Sequence, residues 1–441
     1  MNIILLSGGS GKRLWPLSND TRSKQFLKLL KNTSGEFESM VQRIYGQIQK
    51  AGIEANIVIA TGKSQIDSIR SQLGAAVDIV LEPERRDTFP AIALSSAYLA
   101  LEKNMSPEDV ILVLPVDPYV SVEYFMNLSE MEKEVKKGIY DIVLMGVKPT
   151  YPSEKYGYIV PEANGNIGNN FIVERFTEKP NSERAKELIE EGAFWNSGVF
   201  AFKLGFLMNI VKQQLEFKSF EELNRNYAQL KKISFDYEVV EKASSIAMVP
   251  YNGEWKDLGT WNTLTEEMDG NYLGCATIDE ESVDTHIINE LDIPVIALGV
   301  KDLVIVASHD GILVSDKEAS ARLKSYVENL DQRPMYEERQ WGNYKVLDFT
   351  TYEDGTSSLT RSLFIWAGKS ISYHYHTNKD EIWTVVNGSG ELVENGHVRN
   401  VRIGEVIYIN KGTVHSIKAD TNLRIIEVQI GKELFDTDIE Y

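Results

Sequence analysis

Residues Asn2-Ile3-Ile4-Leu5-Leu6-Ser7-Gly8-Gly9-Ser10-Gly11-Lys12-Arg13-Leu14-Trp15-Pro16 pass directly from an apolar run into a glycine turn and then two cations. A strand that ends in such a turn exposes backbone N–H groups able to cradle a phosphate or a base edge. Two standard phosphate motifs do not fit. A Walker loop needs glycine at Leu6 and Ser or Thr at Arg13, and a dinucleotide fingerprint starting at Gly9 needs glycine at Leu14. The charge around the turn is informative nonetheless. Lys12, Arg13, Arg22, Lys24, Lys28 and Lys31 stand against Asp20 alone, in a chain whose formal net charge is −19. Such a chain repels nucleic-acid polymers, so a local basic stretch beside a glycine turn points to a small polyanion such as a nucleotide. A solvated basic loop is the plainer alternative.

Outward from the loop, strand-length runs rich in Val and Ile recur at 56–60, 77–81, 110–114 and 141–147, with a helical stretch at 90–103 whose Pro90 suits a first turn. This rhythm predicts an α/β domain with a mixed, mainly parallel sheet and helices on both faces. Ligands of such sheets bind beyond the carboxyl ends of the strands, where the glycine loop and Asp117 fall. The pattern is irregular over 150–265, with a strand at 199–202 and a helix at 182–191, as expected of a substrate-covering lobe. Short strands at 295–298, 303–307 and 312–314 precede a predicted helix at 317–330, and 331–339 reads as a linker. Beyond it, 341–430 is nearly all short alternating strands with turns at Asn387-Gly388, Asn395-Gly396 and Lys411-Gly412, a small all-β barrel or jelly roll. The expected division is 1–265, a β-rich connecting segment at 266–332, and 333–441.

The longest apolar runs, 110–115 and 142–147, fall far short of the roughly 20 residues a bilayer requires, so no membrane partner is expected. The apolar start precedes any basic residue, the reverse of a secretion signal, and a lone Cys275 suits a reducing compartment. A cytoplasmic protein is the expectation.

Seven blocks in order carry a resemblance. Gly8-Gly9-Ser10-Gly11-Lys12-Arg13-Leu14-Trp15-Pro16-Leu17-Ser18 with Ser23-Lys24-Gln25-Phe26-Leu27 opens the set. Glu82-Pro83-Glu84-Arg85-Arg86-Asp87-Thr88, Pro115-Val116-Asp117, Tyr156-Gly157-Tyr158-Ile159 and Phe176-Thr177-Glu178-Lys179-Pro180 follow. Trp195-Asn196-Ser197-Gly198 and Trp255-Lys256-Asp257-Leu258-Gly259-Thr260-Trp261 complete it. Together they resemble the mannose-1-phosphate guanylyltransferases, which implies a Rossmann-like nucleotidyltransferase acting on GTP and mannose 1-phosphate. The resemblance implies that Arg13 and Lys24 grip the triphosphate and that Asp117 and Asp257 hold Mg²⁺. Leu6, Gly8, Gly9, Gly11, Lys12, Glu82, Arg86 and Asp87 would contact the nucleotide. Gly157, Glu178, Lys179 and Asn196 would contact the sugar phosphate. It also implies a homodimer formed through 270–330. Ser23, Asp87 and Pro118 stand where the family commonly has proline, asparagine and histidine. Asp87 thereby offers an acceptor-only carboxylate where an amide is usual. Trp195, Trp255 and Trp261 read either as sugar-stacking platforms or as core.

Three of the six histidines follow another pattern. Gly368, His374-Tyr375-His376, Glu381 and Gly388, then Gly404, Asn410-Lys411-Gly412 and His415, resemble the two cupin motifs. Alternation puts His374 and His376 on one face of a strand. With Glu381 and His415 they would form a three-nitrogen, one-carboxylate site for Zn, Mn, Fe or Ni. A cupin behind a guanylyltransferase resembles the bifunctional phosphomannose isomerase/guanylyltransferases. The isomerase glutamine is absent, however: Ser372 precedes the histidines, and Lys379 stands where arginine would precede the glutamate. Other readings are transfer with another base or sugar (a GDP-heptose, CDP- or UDP-sugar), a metal-binding cupin of different role, and a sugar-nucleotide sensor. Keeping Arg13, Lys24 and both aspartates argues against a sensor, because binding alone would not require them.

Overall fold

The computed structural model describes the chain except Ser10, Asp20, Ala76, Asp331, Glu433 and residues 435–441, together with the side chains of Asn164 and Ile167. Two compact units emerge: Met1–Ser10, Gln25–Ile66 and Leu73–Asp269 in the first, and Gly11–Lys24, Asp67–Gln72 and Gly270–Tyr441 in the second.

The first unit is built on a nine-stranded sheet. Its strands are β1 (Asn2–Leu6), β2 (Asn56–Gly62), β3 (Asp78–Glu82), β4 (Val110–Pro115), β6 (Ile142–Val147), β7 (Tyr158–Ile167), β8 (Asn170–Thr177), β9 (Phe194–Lys203) and β10 (Ile246–Tyr251). They lie in the order β3-β2-β1-β4-β9-β6-β10-β8-β7, with β8 and β9 running against the rest. The central strands are apolar throughout because both faces are covered. Ile4, Ile111 and Val113 join one cluster with Phe89, Ile92 and Leu94 of helix α1 (Thr88–Leu101). That helix is apolar on nearly every side, as a helix buried between a sheet and other helices must be.

A second, two-stranded ladder pairs β5 (Pro118–Val120) with β11 (Trp255–Asp257). Proline is tolerated as the first residue of an edge strand, where no ladder donor is demanded of it.

In the second unit, short strands between residues 272 and 316 stack: Tyr272–Leu273 beside His286–Asn289, and these beside Leu303–Ser308, all parallel. A hairpin then joins Leu303–Ser308 to Gly311–Asp316. The helix expected at 317–330 is shorter, a 3-10 turn at Ala319–Arg322 and a helix at Leu323–Val327. Only Leu323 and Val327 give it an apolar face, too little to extend it.

The remaining strands form two antiparallel sheets. One runs β12 (Tyr336–Arg339), β13 (Gly342–Thr351), β14 (Ser357–Ile365), β21 (Leu423–Gly431), β16 (Lys379–Asn387), β19 (Val406–Ile409). The other runs β15 (Ser370–His374), β20 (His415–Ala419), β17 (Ser389–Glu394), β18 (His397–Arg402). Leu359, Leu363, Trp383, Leu392, Ile407, Ile417 and Ile425 form their shared core. The segment read as a linker is therefore partly strand, since Tyr336–Arg339 pairs with β13, and Asp331 lies outside the described residues.

Candidate functional site

Within the first unit, several of the expected transferase residues lie at or just past strand ends. Leu6 ends β1 opposite Ala60 and Pro115. Past it, the carbonyl of Gly9 accepts from Gln65 Nε2 at 3.2 Å, and that of Ser7 accepts from Gln25 Nε2 at 2.6 Å. A Cβ placed on Gly8 would stand 3.4 Å from Glu82 Oε1. Glu82 ends β3, and its Oε2 accepts from the Tyr227 hydroxyl at 2.8 Å. Burial raises its pKa, against the pull of that hydrogen bond.

Gly11 has φ 60°, and a Cβ there would lie 2.7 Å from the backbone nitrogen of Lys24. Both the left-handed backbone and the close approach demand glycine. The close approach brings the turn carrying Lys12 and Arg13 against the residue that starts the next turn. Arg13 is exposed.

Arg86 and Asp87 are engaged within the protein. Arg86 donates to the Leu230 carbonyl, at 3.0 Å from Nη2, and to Glu84 at 2.8 Å. Asp87 caps α1, accepting from Thr88 N at 2.8 Å, with its backbone at φ 74°.

Asp117 and Asp257 come together by register. Asp257 pairs with Pro118 across the β5–β11 ladder, so the two carboxylates flank one end of it, both half-buried. They line a cavity of about 250 Å³ with Tyr156, Glu178, Asn196 and Asp236. Burial and then the Asp257 charge push the Tyr156 phenol up.

Glu178 and Lys179 follow β8 directly, and Lys179 Nζ donates to Glu178 Oε1 at 2.5 Å. The other oxygen, Glu178 Oε2, is buried with no hydrogen-bond partner among the described residues. It would lie 2.5 Å from a Cβ on Gly157, so only glycine leaves that oxygen room. Asn196 Nδ2 donates to Asp236 Oδ1 at 2.7 Å, and Asn196 N donates to the Gly157 carbonyl at 2.8 Å. Asp236 was missed by sequence reasoning. It sits in a four-residue helix between Phe235 and Tyr237, with no spacing signal. Burial, with the neighbouring Glu178 charge, pushes its pKa up to about 7. Of the tryptophans, Trp195 and Trp261 are core, while Trp255 lines the cavity.

The C-terminal histidines also converge. His374 lies opposite His415 across the β15–β20 ladder, and His376 follows two residues on. One ring nitrogen from each of the three lies within 4.8 Å of the others, a set that could hold a metal ion. His374 Nδ1 lies 2.6 Å from the Ser372 carbonyl and His415 Nδ1 lies 2.9 Å from that of Thr413. A carbonyl oxygen only accepts, so Nδ1 carries the hydrogen and Nε2 keeps its lone pair for a cation. His415 Nε2 is buried without a hydrogen-bond partner among the described residues.

Glu381 joins the set. Its Oε1 lies 3.1 Å from His376 Nε2 and its Oε2 3.6 Å from His415 Nε2. Trp383 Nε1 and Gln429 Nε2 each donate to it at 3.0 Å. Gln429 also donates to Glu427, which Arg361 Nε meets at 2.5 Å. Neither Glu427 nor Gln429 was anticipated, although alternation with Leu423 and Ile425 marks both as inward-facing. The cavity here is about 290 Å³, with Arg361, Lys379 and Glu427 in its wall.

Known proteins share both halves. Residues 2–271 match the family described as nucleotidyl transferase, and residues 328–441 the one described as mannose-6-phosphate isomerase C-terminal. A mannose-1-phosphate guanylyltransferase of Salmonella montevideo is 29 % identical over 99 % of this chain and 97 % of its own length. The xanthan biosynthesis protein XanB of Xanthomonas campestris is 30 % identical over the same shares, 99 % and 97 %. The crystal structure of a mannose-1-phosphate geranyltransferase from Thermus thermophilus superposes with a TM-score of 0.62 at 30 % identity, covering 75 % of this chain and 99 % of that one. Nucleotidyltransferase sheet, paired aspartates and full-length relatives agree: the chain belongs to the mannose-1-phosphate guanylyltransferases that carry a C-terminal mannose-6-phosphate isomerase-like domain.

Proposed function

We propose that residues 1–265 join mannose 1-phosphate to GTP, giving GDP-mannose and pyrophosphate. A phosphate oxygen of the sugar attacks the α-phosphorus, and the bond from that phosphorus to the β-phosphate oxygen breaks. Two anions must approach, so catalysis is mainly positioning and charge neutralisation. The observation that carries the reading is the Asp117–Asp257 pair in a cavity also lined by Glu178, one oxygen of which is buried with no hydrogen-bond partner among the described residues.

The two aspartates suit Mg²⁺, being hard oxygen donors exposed enough for waters to complete the shell. When bound, the ion supplies positive charge to the reacting phosphates. Arg13 clamps the leaving phosphates with its guanidinium fork, and Lys24 adds a second cation. Lys179 takes the sugar phosphate, while Glu178 and Asn196 take sugar hydroxyls. Leu6, Gly8, Gly9, Gly11, Lys12 and Glu82 form the nucleotide wall. Arg86 and Asp87 serve it by anchoring the Leu230 carbonyl and the start of α1.

Residues 333–441 are read as a metal-dependent site acting on mannose 6-phosphate, with 266–332 connecting. The buried imidazoles and Glu381 suit Zn, Mn, Fe or Ni. Arg361 and Lys379 supply cations for a phosphate, and buried Glu427 can hold a proton. A homodimer is supported by Ile296, Leu298, Ile312 and Val314, all exposed in the connecting segment. A cytoplasmic setting suits the exposed free thiol of Cys275.

The test is pyrophosphate release across four triphosphates and several sugar phosphates. GTP with mannose 1-phosphate should be the preferred pair and should need Mg²⁺. Release with no pair would end the transferase reading, and another preferred pair would replace its substrates. For the second site, metal-loaded protein should interconvert mannose 6-phosphate and fructose 6-phosphate; loaded protein that does not convert them rules out the isomerase.

A further inference from the structure

Arg22 belongs to the run of cations that the sequence offers to a polyanion, yet its guanidinium is committed elsewhere. Nη1 and Nη2 donate to Glu290 Oε2 and Oε1, each at 2.8 Å, in a two-pronged pair. The Tyr336 ring lies 5.2 Å from the guanidinium carbon, and Glu338 stands 3.9 Å from Nε. The Arg22 side chain is only 12 % exposed. A buried arginine is costly to desolvate, and a bidentate carboxylate is the partner that best offsets the cost.

The same loop is tied down at further points. Asn19 Oδ1 accepts from Thr21 N, Thr21 Oγ1 and Arg22 N at 3.0, 2.8 and 2.7 Å, closing a tight turn. Asn19 Nδ2 donates to Asp310 Oδ2 at 2.6 Å, and Asp310 Oδ1 accepts from Met335 N at 2.6 Å. Ser308 Oγ donates to the Pro16 carbonyl at 2.9 Å, and Lys12 Nζ donates to the Glu328 carbonyl at 3.3 Å. Trp15 packs so closely on Gly311 that a Cβ there would lie 2.5 Å from its ring.

All these partners come from residues 290–338, and Gly11–Lys24 form one compact unit with them. We infer that Glu290 and Asp310 are positioning residues for nucleotidyl transfer: by fixing Gly11–Lys24 they set where Arg13 and Lys24 stand to meet a triphosphate. The inference rests on the transferase reading of Arg13 and Lys24. Its physical basis is preorganisation. An exposed loop bearing cations would otherwise lose its conformational freedom each time a triphosphate bound, which weakens binding and slows transfer. The β-rich segment between the two catalytic regions is thereby a working part of the first.

Two arms test it. In the wild-type protein, the amides of Leu14, Leu17, Ser18 and Arg22 should exchange with deuterium as slowly as those of Leu303–Ser308. Glu290→Gln and Asp310→Asn should speed exchange at 11–22 while sparing 303–308. In steady-state kinetics, each variant should raise the KM for GTP, and for pyrophosphate in the reverse direction, by about ten-fold. The KM for mannose 1-phosphate should stay within about two-fold. A merely structural role lowers the active fraction and leaves both KM values alone. Fast exchange at 11–22 in the wild type, or unchanged KM for GTP in both variants, overturns the inference. Should the wild type transfer no nucleotide, the function falls, and the exchange arm still decides whether Glu290 and Asp310 hold the loop.

Discussion

The two cavities use carboxylate and imidazole in opposite ways. In the first, Asp117 and Asp257 are half-buried and meet through three-residue strands. In the second, His374, His376, Glu381 and His415 are all buried, and Trp383, Gln429 and backbone carbonyls hold them in place. An ion that arrives and leaves with a nucleotide is served by oxygen donors that water can reach. An ion that stays is served by desolvated nitrogen donors with fixed tautomers. On the proposed reading, donor type, burial and outer hydrogen bonds together separate a resident metal from a travelling one.

The hardest test of this contrast is at the aspartates. Asp257→Ala should lower the rate of pyrophosphate release by at least about 100-fold while the metal content of the purified protein is unchanged. A near-normal rate would remove Asp257 from the site. The mirror experiment is His415→Ala, which should lower transition-metal content from one per chain to near zero and leave transfer intact. Full metal content in that variant would break the assignment of the imidazole set.

A smaller effect is expected at Glu178. Its buried oxygen, without a hydrogen-bond partner among the described residues, should bind a sugar hydroxyl, so Glu178→Gln should raise the KM for mannose 1-phosphate about ten-fold. The KM for GTP should not follow; if both rise together, Glu178 shapes the whole cleft instead.

The smallest effect concerns Asp236. Its pKa is pushed from the ordinary 3.8 up to about 7, so the folded protein keeps a proton that the unfolded chain has lost. Its contribution to stability is therefore complete below about pH 4 and falls as pH rises to about 7. Asp236→Asn, which keeps an acceptor for Asn196, should melt at a higher temperature than the wild type at pH 8 and show no such advantage at pH 4. An equal difference at both values would deny the shift.

Much of this was readable before any fold was seen. The strands that carry the first sheet are apolar runs bounded by turns, and Asn395-Gly396 announces the β17–β18 hairpin. Alternation put His374 and His376 on one face, and the cupin resemblance added His415. What could not be read depends on contacts distant in sequence. β5 and β11 are three residues each and lie more than a hundred residues apart, so no local pattern reveals that Pro118 faces Asp257. Arg22 looked like one more phosphate cation because Glu290 is remote in sequence. Asp236 carries no signal, since one acid in a short helix is usually solvated. Tyr336–Arg339 read as linker because three of its four residues are charged, whereas their alternation lets Glu337 point inward.

The most direct measurement is pyrophosphate release from GTP and mannose 1-phosphate by protein stripped of transition metals and then supplied with Mg²⁺ alone. The account predicts full transfer under these conditions and almost none with Asp257→Ala. Transfer that returns only when a transition metal is restored, or that survives loss of Asp257, would contradict it.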